Sequence, residues 1–290
     1  KDKARRIFAQ GAEHQTSFYG LLSAEEISAP FPYRFNPLPE LPDWRRASFR
    51  KSSVFKAAIL LFASGQDALG ERFITHLAET LSDLEVEKMT DFLEKYQRPH
   101  VLVMLGKRKA SQGKNFPRSS FALHPMTEES YPVPDQLSLA IARRESEFDQ
   151  RVVSPVGAAG MMQVMPRTAR EMAGKIGLRY DQKRMTRDWK YNVIIGTAYL
   201  KELNDRFTSN PVLVSAAYNA GPTRAEKWSS LLGDPRSTQT NIIDWIEMIP
   251  FDETRNYVMR TTESIPMYRA RLGKDPLPVP FSKFLQGSGF

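Results

Sequence analysis

The sequence predicts an all-α chain in two parts. Apolar residues recur at three- and four-residue spacing in one segment after another, with short polar or glycine breaks between them. Five prolines fall within "PFPYRFNPLPELP" at 30–42, which no helix interior tolerates, so an extended, rigid connector is expected there. The length, 290 residues, exceeds what a single core usually serves.

Residues 1–28 read as two short helices around "TSFYGLL". From Phe49 to Lys109 the helical pattern returns in four pieces, "SSVFKAAILLFA", "DALGERFITHLAETL", "LEVEKMTDFLEKY" and "HVLVMLGKRKA". Antiparallel helix pairs are their natural packing, which suggests an all-α, repeat-like module. "SQGKNFPRSS" at 111–120 is polar and marks the boundary region, giving an N-terminal helical domain over 1–116 and a second domain over 117–290 with an extended C-terminal tail. In that second domain helices are expected at about 136–149, 166–176, 188–207, 211–220, 239–247 and 252–271. Asp135 is placed to cap the first of them. Gly196 sits in the stripe Val193, Gly196, Leu200, Leu203, Phe207, where a neighbour can come close. Gly221 and Pro222 end the helix that closes in "AAYNAGP".

Composition excludes several chemistries. With no cysteine, disulfides, thiol nucleophiles and cysteine-ligated zinc drop out. His14, His76, His100 and His124 are scattered without metal-ligand spacing, so no metal or cofactor is expected. The net charge of +8 is spread thinly with no long basic run, which argues against a nucleic-acid partner. "FKAAILLFA" at 55–63 is too short to cross a bilayer, so no transmembrane segment is expected. Lys1 opens the sequence without a methionine or an apolar leader, as expected of a mature or trimmed form.

Chemistry concentrates between Leu139 and Pro166. Glu145 borders the apolar stripe of Leu137, Ile141 and Phe148. A buried carboxylate must find partners or hold a proton, and a proton held near neutral pH is what a general acid needs. Helical spacing alone favours a plainer reading, a solvated Glu145 or one paired with Arg143 or Arg144, and leaves Glu147 as a second candidate. The following turn changes the balance. Gly157, Ala158, Ala159 and Gly160 leave the backbone bare enough for a ligand to approach. Gln163 can donate to and accept from sugar hydroxyls and acetamides. Met162 and Met165 offer apolar walls, with core packing as the alternative for at least one. Tyr218 offers a hydroxyl and a flat face, or is a buried tyrosine bonded to the backbone.

"ARRESEFD", "SPVGAAGMMQVMP", "NVIIGTAYLKEL", "AAYNAGP" and "IEMIPFDETRNYV", in this order over about 120 residues, resemble the motifs of the soluble lytic transglycosylases. "SFYGLL" and the helices after it resemble the superhelical and linker region of that family. The first half is shorter than the full ring-forming superhelix, which implies a smaller relative or a truncated chain. The resemblance implies a lysozyme-like α fold for the second half. It implies cleavage of the β-1,4 bond between N-acetylmuramic acid and N-acetylglucosamine, with release of 1,6-anhydromuramyl products. Glu145 becomes the single catalytic acid and base. Ser146 would orient Glu145 or the substrate, Gln163, Met162, Met165, Tyr218 and Glu247 would bind substrate, and Asn219 would be structural. The implied partners are peptidoglycan glycan strands, with envelope proteins docking on the N-terminal helical domain, and the implied location is periplasmic. Two other readings stand beside it, a lysozyme-type hydrolase and a non-catalytic glycan-binding or protein-interaction scaffold.

Overall fold

A computed structural model describes residues 2–35 and 40–289, and among them the fold is all-α. Residues 36–39 of the expected proline-rich connector lie outside the described residues; on either side, 29–35 and 40–43 form no helix. The only extended pairing among the described residues is a pair of single bridges, Val153 with Ala159 and Ala159 with Val164.

The chain divides into two compact units, one of residues 35–125 and one of residues 1–34 with 126–290. The single boundary expected at 116/117 is thereby corrected to two crossings. The reason is the N-terminal segment, which packs with the C-terminal part of the chain. The backbone N–H of Phe18 donates to Glu263 Oε2 at 2.6 Å, and that of Ser282 donates to Glu25 Oε2 at 2.8 Å. The Phe18 ring meets the Phe281 ring edge-on at 5.6 Å. Phe281, Phe284 and Leu285 are buried on the short helix Phe281–Leu285, so the C-terminal region expected as an extended tail is a packed element.

In the unit 35–125, the helices Ser53–Ala63, Asp67–Ala78, Asp83–Lys95 and Pro99–Ala110 follow the four apolar pieces of the sequence. Ala58, Ile74, Met89, Leu93, Val103 and Leu105 are its fully buried centre. Lys109 is buried as well, and its ammonium donates to the Ala78 carbonyl at 2.9 Å. That bond satisfies one of the carbonyls left open at a helix C-terminus.

In the larger unit the helix Asp135–Ser146 is surrounded, with Gln136 through Ala142 all buried. It packs against the helices Asp252–Thr262 and Ser264–Arg271. Its ends differ from expectation. Pro134, not Asp135, holds the N-cap position, and no side chain caps it. The helix stops at Ser146 because Glu147 and Phe148 turn into positive φ, at 49° and 69°, which places Glu145 in the last turn. The expected helix 252–271 is two helices, since Pro266 has no N–H and its ring would clash with the carbonyl of Thr262 in a continuous helix. Pro222 lies just beyond the end of the helix Pro211–Ala220, as expected. It occupies the first turn of a further helix, Pro222–Leu232, where a missing N–H costs nothing.

Candidate active site

Glu145 is half-buried, and its Oε1 accepts a hydrogen bond of 2.7 Å from the hydroxyl of Tyr257. Its carboxyl is pushed up to about 7, chiefly by burial. The Tyr257 hydroxyl and the Arg144 guanidinium pull the other way, while the like charge of Glu253 adds to the push. Burial therefore outweighs every stabilising partner, and the group can hold or give up a proton near neutral pH. Arg144 does not form the ion pair that helical spacing suggested. Its guanidinium carbon lies over the Tyr257 ring at 5.6 Å, and Nη2 donates to Asn256 at 3.3 Å. Tyr257 is buried and Tyr218 half-buried beside the acid, and desolvation together with the Glu145 charge raises both phenols well above their ordinary value.

The loop after the helix is folded by its own polar groups. Ser154 N–H donates to the Ala158 carbonyl at 2.8 Å, and Ala159 and Val164 exchange both backbone bonds, at 3.1 and 3.2 Å. Gly160 has φ 78°, and a Cβ there would lie 2.0 Å from the Met185 carbonyl oxygen, so only glycine fits. Asn192, fully buried, clips the loop to the helix Trp189–Arg206. Its Nδ2 donates to the Ala159 carbonyl at 2.9 Å, and its Oδ1 accepts from Met162 N–H at 2.8 Å.

Four expected site residues meet in this loop. Tyr218 donates to the Met162 carbonyl at 2.7 Å, and its ring is tilted on Tyr199 at 5.4 Å. Ser146 was expected to orient Glu145 or to bind or orient substrate. It is instead buried, and its hydroxyl donates to the Met161 carbonyl at 2.7 Å, so it holds the loop against the acid's helix. Met162 was expected to line a binding wall, and this too is corrected. Its side chain is fully buried against Gly196, where an added Cβ would come within 2.5 Å of its sulfur. Gln163 sits at φ 45° and spends its amide nitrogen on the carbonyls of Val152 and Gly160, at 2.9 and 2.8 Å. Its amide oxygen remains to accept from a ligand.

Two expected residues lie outside this network. Met165 is 42% exposed at the start of the helix Pro166–Lys175. Glu247 is exposed at the end of the helix Ile242–Glu247 and faces Arg255 at 3.8 Å. Asn219 accepts from Thr254 at 2.7 Å, a tie between two helices. Tyr257 and Asn192 were missed by sequence reasoning although both stand inside quoted motifs, "RNYV" and "NVIIG". A buried polar residue in an otherwise apolar helical stretch was the available signal for Asn192.

Comparison with known proteins relates the chain to one family. The family model described as the transglycosylase SLT domain matches residues 123–240. The soluble lytic murein transglycosylase of Escherichia coli (strain K12) is 38% identical over 145 residues, covering 50% of this chain and 22% of that protein. A putative soluble lytic murein transglycosylase of Haemophilus influenzae is 26% identical over 247 residues, covering 84% of this chain and 41% of the relative. The crystal structure of the 70 kDa soluble lytic transglycosylase of Escherichia coli superposes with a TM-score of 0.78 at 24% identity, over 95% of this chain and 44% of that one, a likeness of fold. An inactive mutant of the lytic transglycosylase Slt from Pseudomonas aeruginosa superposes with a TM-score of 0.73 at 27% identity, over 97% and 45%. The chain thus spans less than half the length of these relatives. Residues 123–240 match the transglycosylase SLT domain, and the chain that carries them is similar to soluble lytic murein transglycosylases in sequence and resembles the 70 kDa enzyme in fold.

Proposed function

We propose that this chain is a peptidoglycan lytic transglycosylase that uses Glu145 as both acid and base. The observation that carries the reading is the Glu145 carboxyl, raised to about 7 by burial and held by Tyr257 beside the Gln163 loop. Protonated Glu145 donates to the glycosidic oxygen between N-acetylmuramic acid and N-acetylglucosamine, and the C1–O bond breaks. The 2-acetamido carbonyl of the muramic acid stabilises the developing cation, a substrate-assisted alternative to a second carboxylate. The Glu145 carboxylate then takes the proton of the C6 hydroxyl, and O6 bonds to C1 to close the 1,6-anhydro ring. One proton leaves the acid and one returns, and no water is added.

In this reading Met165 and the free oxygen of Gln163 touch the sugar, and Glu247 contributes farther along the cleft. Ser146, Asn192, Tyr218 and the buried Met162 fix the loop that presents them. The substrate places the protein in the bacterial cell envelope, in the periplasm. Among the described residues no helix is long and apolar enough to cross a membrane.

Purified sacculi incubated with the protein test the proposal by mass spectrometry of the soluble products. The expected products carry 1,6-anhydromuramic acid, one water lighter than hydrolysis products. Reducing-end muramic acid alone would make the protein a hydrolase. Binding to sacculi without any soluble product would make it a scaffold.

A further inference from the structure

The unit 35–125 carries a cavity of about 630 Å³ that no step of the proposed chemistry uses. Its lining is largely aromatic. Trp44, from the short turn Trp44–Arg46, and Phe55, from the helix Ser53–Ala63, each meet the Phe92 ring edge-on at 5.2 Å. Tyr96 lies tilted on the same Phe92 ring at 4.8 Å. Leu60 and Tyr96 also line the cavity and are 71% and 56% exposed. Large apolar side chains left open around a concavity mark a binding surface. Trp44 Nε1 is buried without a hydrogen-bond partner among the described residues, a state that a finished core avoids.

The surroundings of this cavity are positive. Residues 44–56, "WRRASFRKSSVFK", hold five cations and no acid. Arg50 and Lys56 among them line the cavity, both exposed, and neither pairs with a carboxylate among the described residues. The neighbouring acids are already engaged: Asp43 with Arg45 at 3.5 Å, Asp67 with Arg98 at 2.9 Å and Asp91 with Lys95 at 3.0 Å. The Arg50 guanidinium carbon lies over the Trp44 ring at 5.6 Å, so charge and apolar surface are contiguous. The occupant must therefore bring apolar side chains and negative charge together. A second copy of this chain carries a net charge of +8 and is repelled. A lipid headgroup surface brings negative charge without the protruding side chains that a concavity admits. An amphipathic helix with acidic flanks brings both, its apolar ridge fitting a groove and its carboxylates the cations beside it. We propose that this cavity docks an acidic amphipathic helix of a partner protein, with apolar side chains seated against Trp44, Leu60 and Phe92 and carboxylates on Arg50 and Lys56.

Two measurements on the full chain test this. The first titrates a synthetic amphipathic peptide, with leucines along one helical face and glutamates on the other, and follows the indole N–H NMR signal of Trp44. The expected result is a saturable shift of that signal, while the signals of Trp189, Trp228 and Trp245 stay in place. Affinity is expected to fall tenfold or more in R50A/K56A, in L60D, and when glutamines replace the glutamates of the peptide. All three substituted side chains are exposed, so the variants keep the wild-type spectrum elsewhere. No shift with the acidic peptide, or equal binding of the glutamine peptide, would overturn the proposal. The second measurement follows the same signal without peptide, first with phosphatidylglycerol vesicles and then with rising protein concentration. Trp44 is expected to stay in place in both. A shift with vesicles would make the cavity part of a membrane-facing surface, and a shift with concentration would make it a contact between copies of the chain. Either result would overturn the proposal.

Discussion

The hydroxyl of Tyr257 donates to Oε1 of Glu145 across 2.7 Å, joining the last turn of one helix to the middle of another 112 residues later. The bond favours the charged carboxylate and so lowers a pKa that burial has raised to about 7. Tyr257→Phe removes the donor and keeps the ring. The Glu145 pKa then rises further, and the alkaline limb of the pH–rate profile moves up by about one pH unit, as expected for losing one hydrogen bond to a charged group. A limb that moves down, or stays in place, would contradict the role given to this bond.

Glu145→Gln removes the proton donor while preserving shape. Activity on sacculi is expected to fall by a factor of about 10² to 10⁴ or more, the range of general acid–base contributions. Stability should move the other way. The folded-state pKa of about 7 stands above the ordinary value of 4.5, so the folded state holds a proton that the unfolded chain releases between those values. Favourable at low pH, this term is lost as pH rises to about 7, and the buried charge then weighs against folding. Thermal unfolding should show Glu145→Gln more stable relative to wild type at pH 8 than at pH 4. The reverse order would place Glu145 outside a desolvated site.

The helices were legible in the sequence for one physical reason: they depend on local spacing. The four apolar pieces of 52–110 became helices at nearly their expected bounds, and Gly221 takes the positive φ expected of it, 91°. What sequence could not supply is which surface a residue faces once the chain closes. Ser146 and Met162 share motifs with residues expected to meet substrate, yet both point inward because the Met161–Gln163 turn folds back onto the helices carrying Ser146 and Gly196. The pKa of Glu145 was equally out of reach, because it depends on burial once the chain closes and on Tyr257, which arrives from more than 100 residues away. The long-range bonds of Phe18 and Glu25, which move the N-terminal segment into the larger unit, leave no trace in any local pattern.

Asn192 is expected to be the most sensitive structural residue of the site. Asn192→Ala leaves the buried Met162 N–H without its partner and the Ala159 carbonyl with only its bond from Val164. A buried unsatisfied donor costs about 1–3 kcal/mol, so the variant should lose about that much in urea unfolding. Because the loop it holds also carries Gln163, activity should fall in samples that remain folded at the assay temperature. Full stability in the alanine variant would show that the loop is held by other contacts.

Glu263 fastens the N-terminal segment, and the fastening is electrostatic as well as apolar. Its Oε2 accepts from Phe18 N–H, one of the open donors at the start of the helix Phe18–Glu26, and its Oε1 accepts from Arg260 at 3.0 Å. Burial raises the Glu263 pKa in spite of Arg260, so this carboxylate is present at a desolvation cost that its bonds must offset. Glu263→Ala strips the Phe18 donor of its acceptor and leaves Arg260 without this partner. Amide exchange at residues 18–21 should accelerate, reporting a local loss of about 1–3 kcal/mol, while the buried helix Asp135–Ser146 keeps its protection. Hydrogen-exchange mass spectrometry resolves the two regions. Unchanged exchange at 18–21 would mean that the Phe18–Phe281 contact alone holds the segment, whereas equal acceleration in both regions would mean that the segment and the core open together as a single cooperative unit.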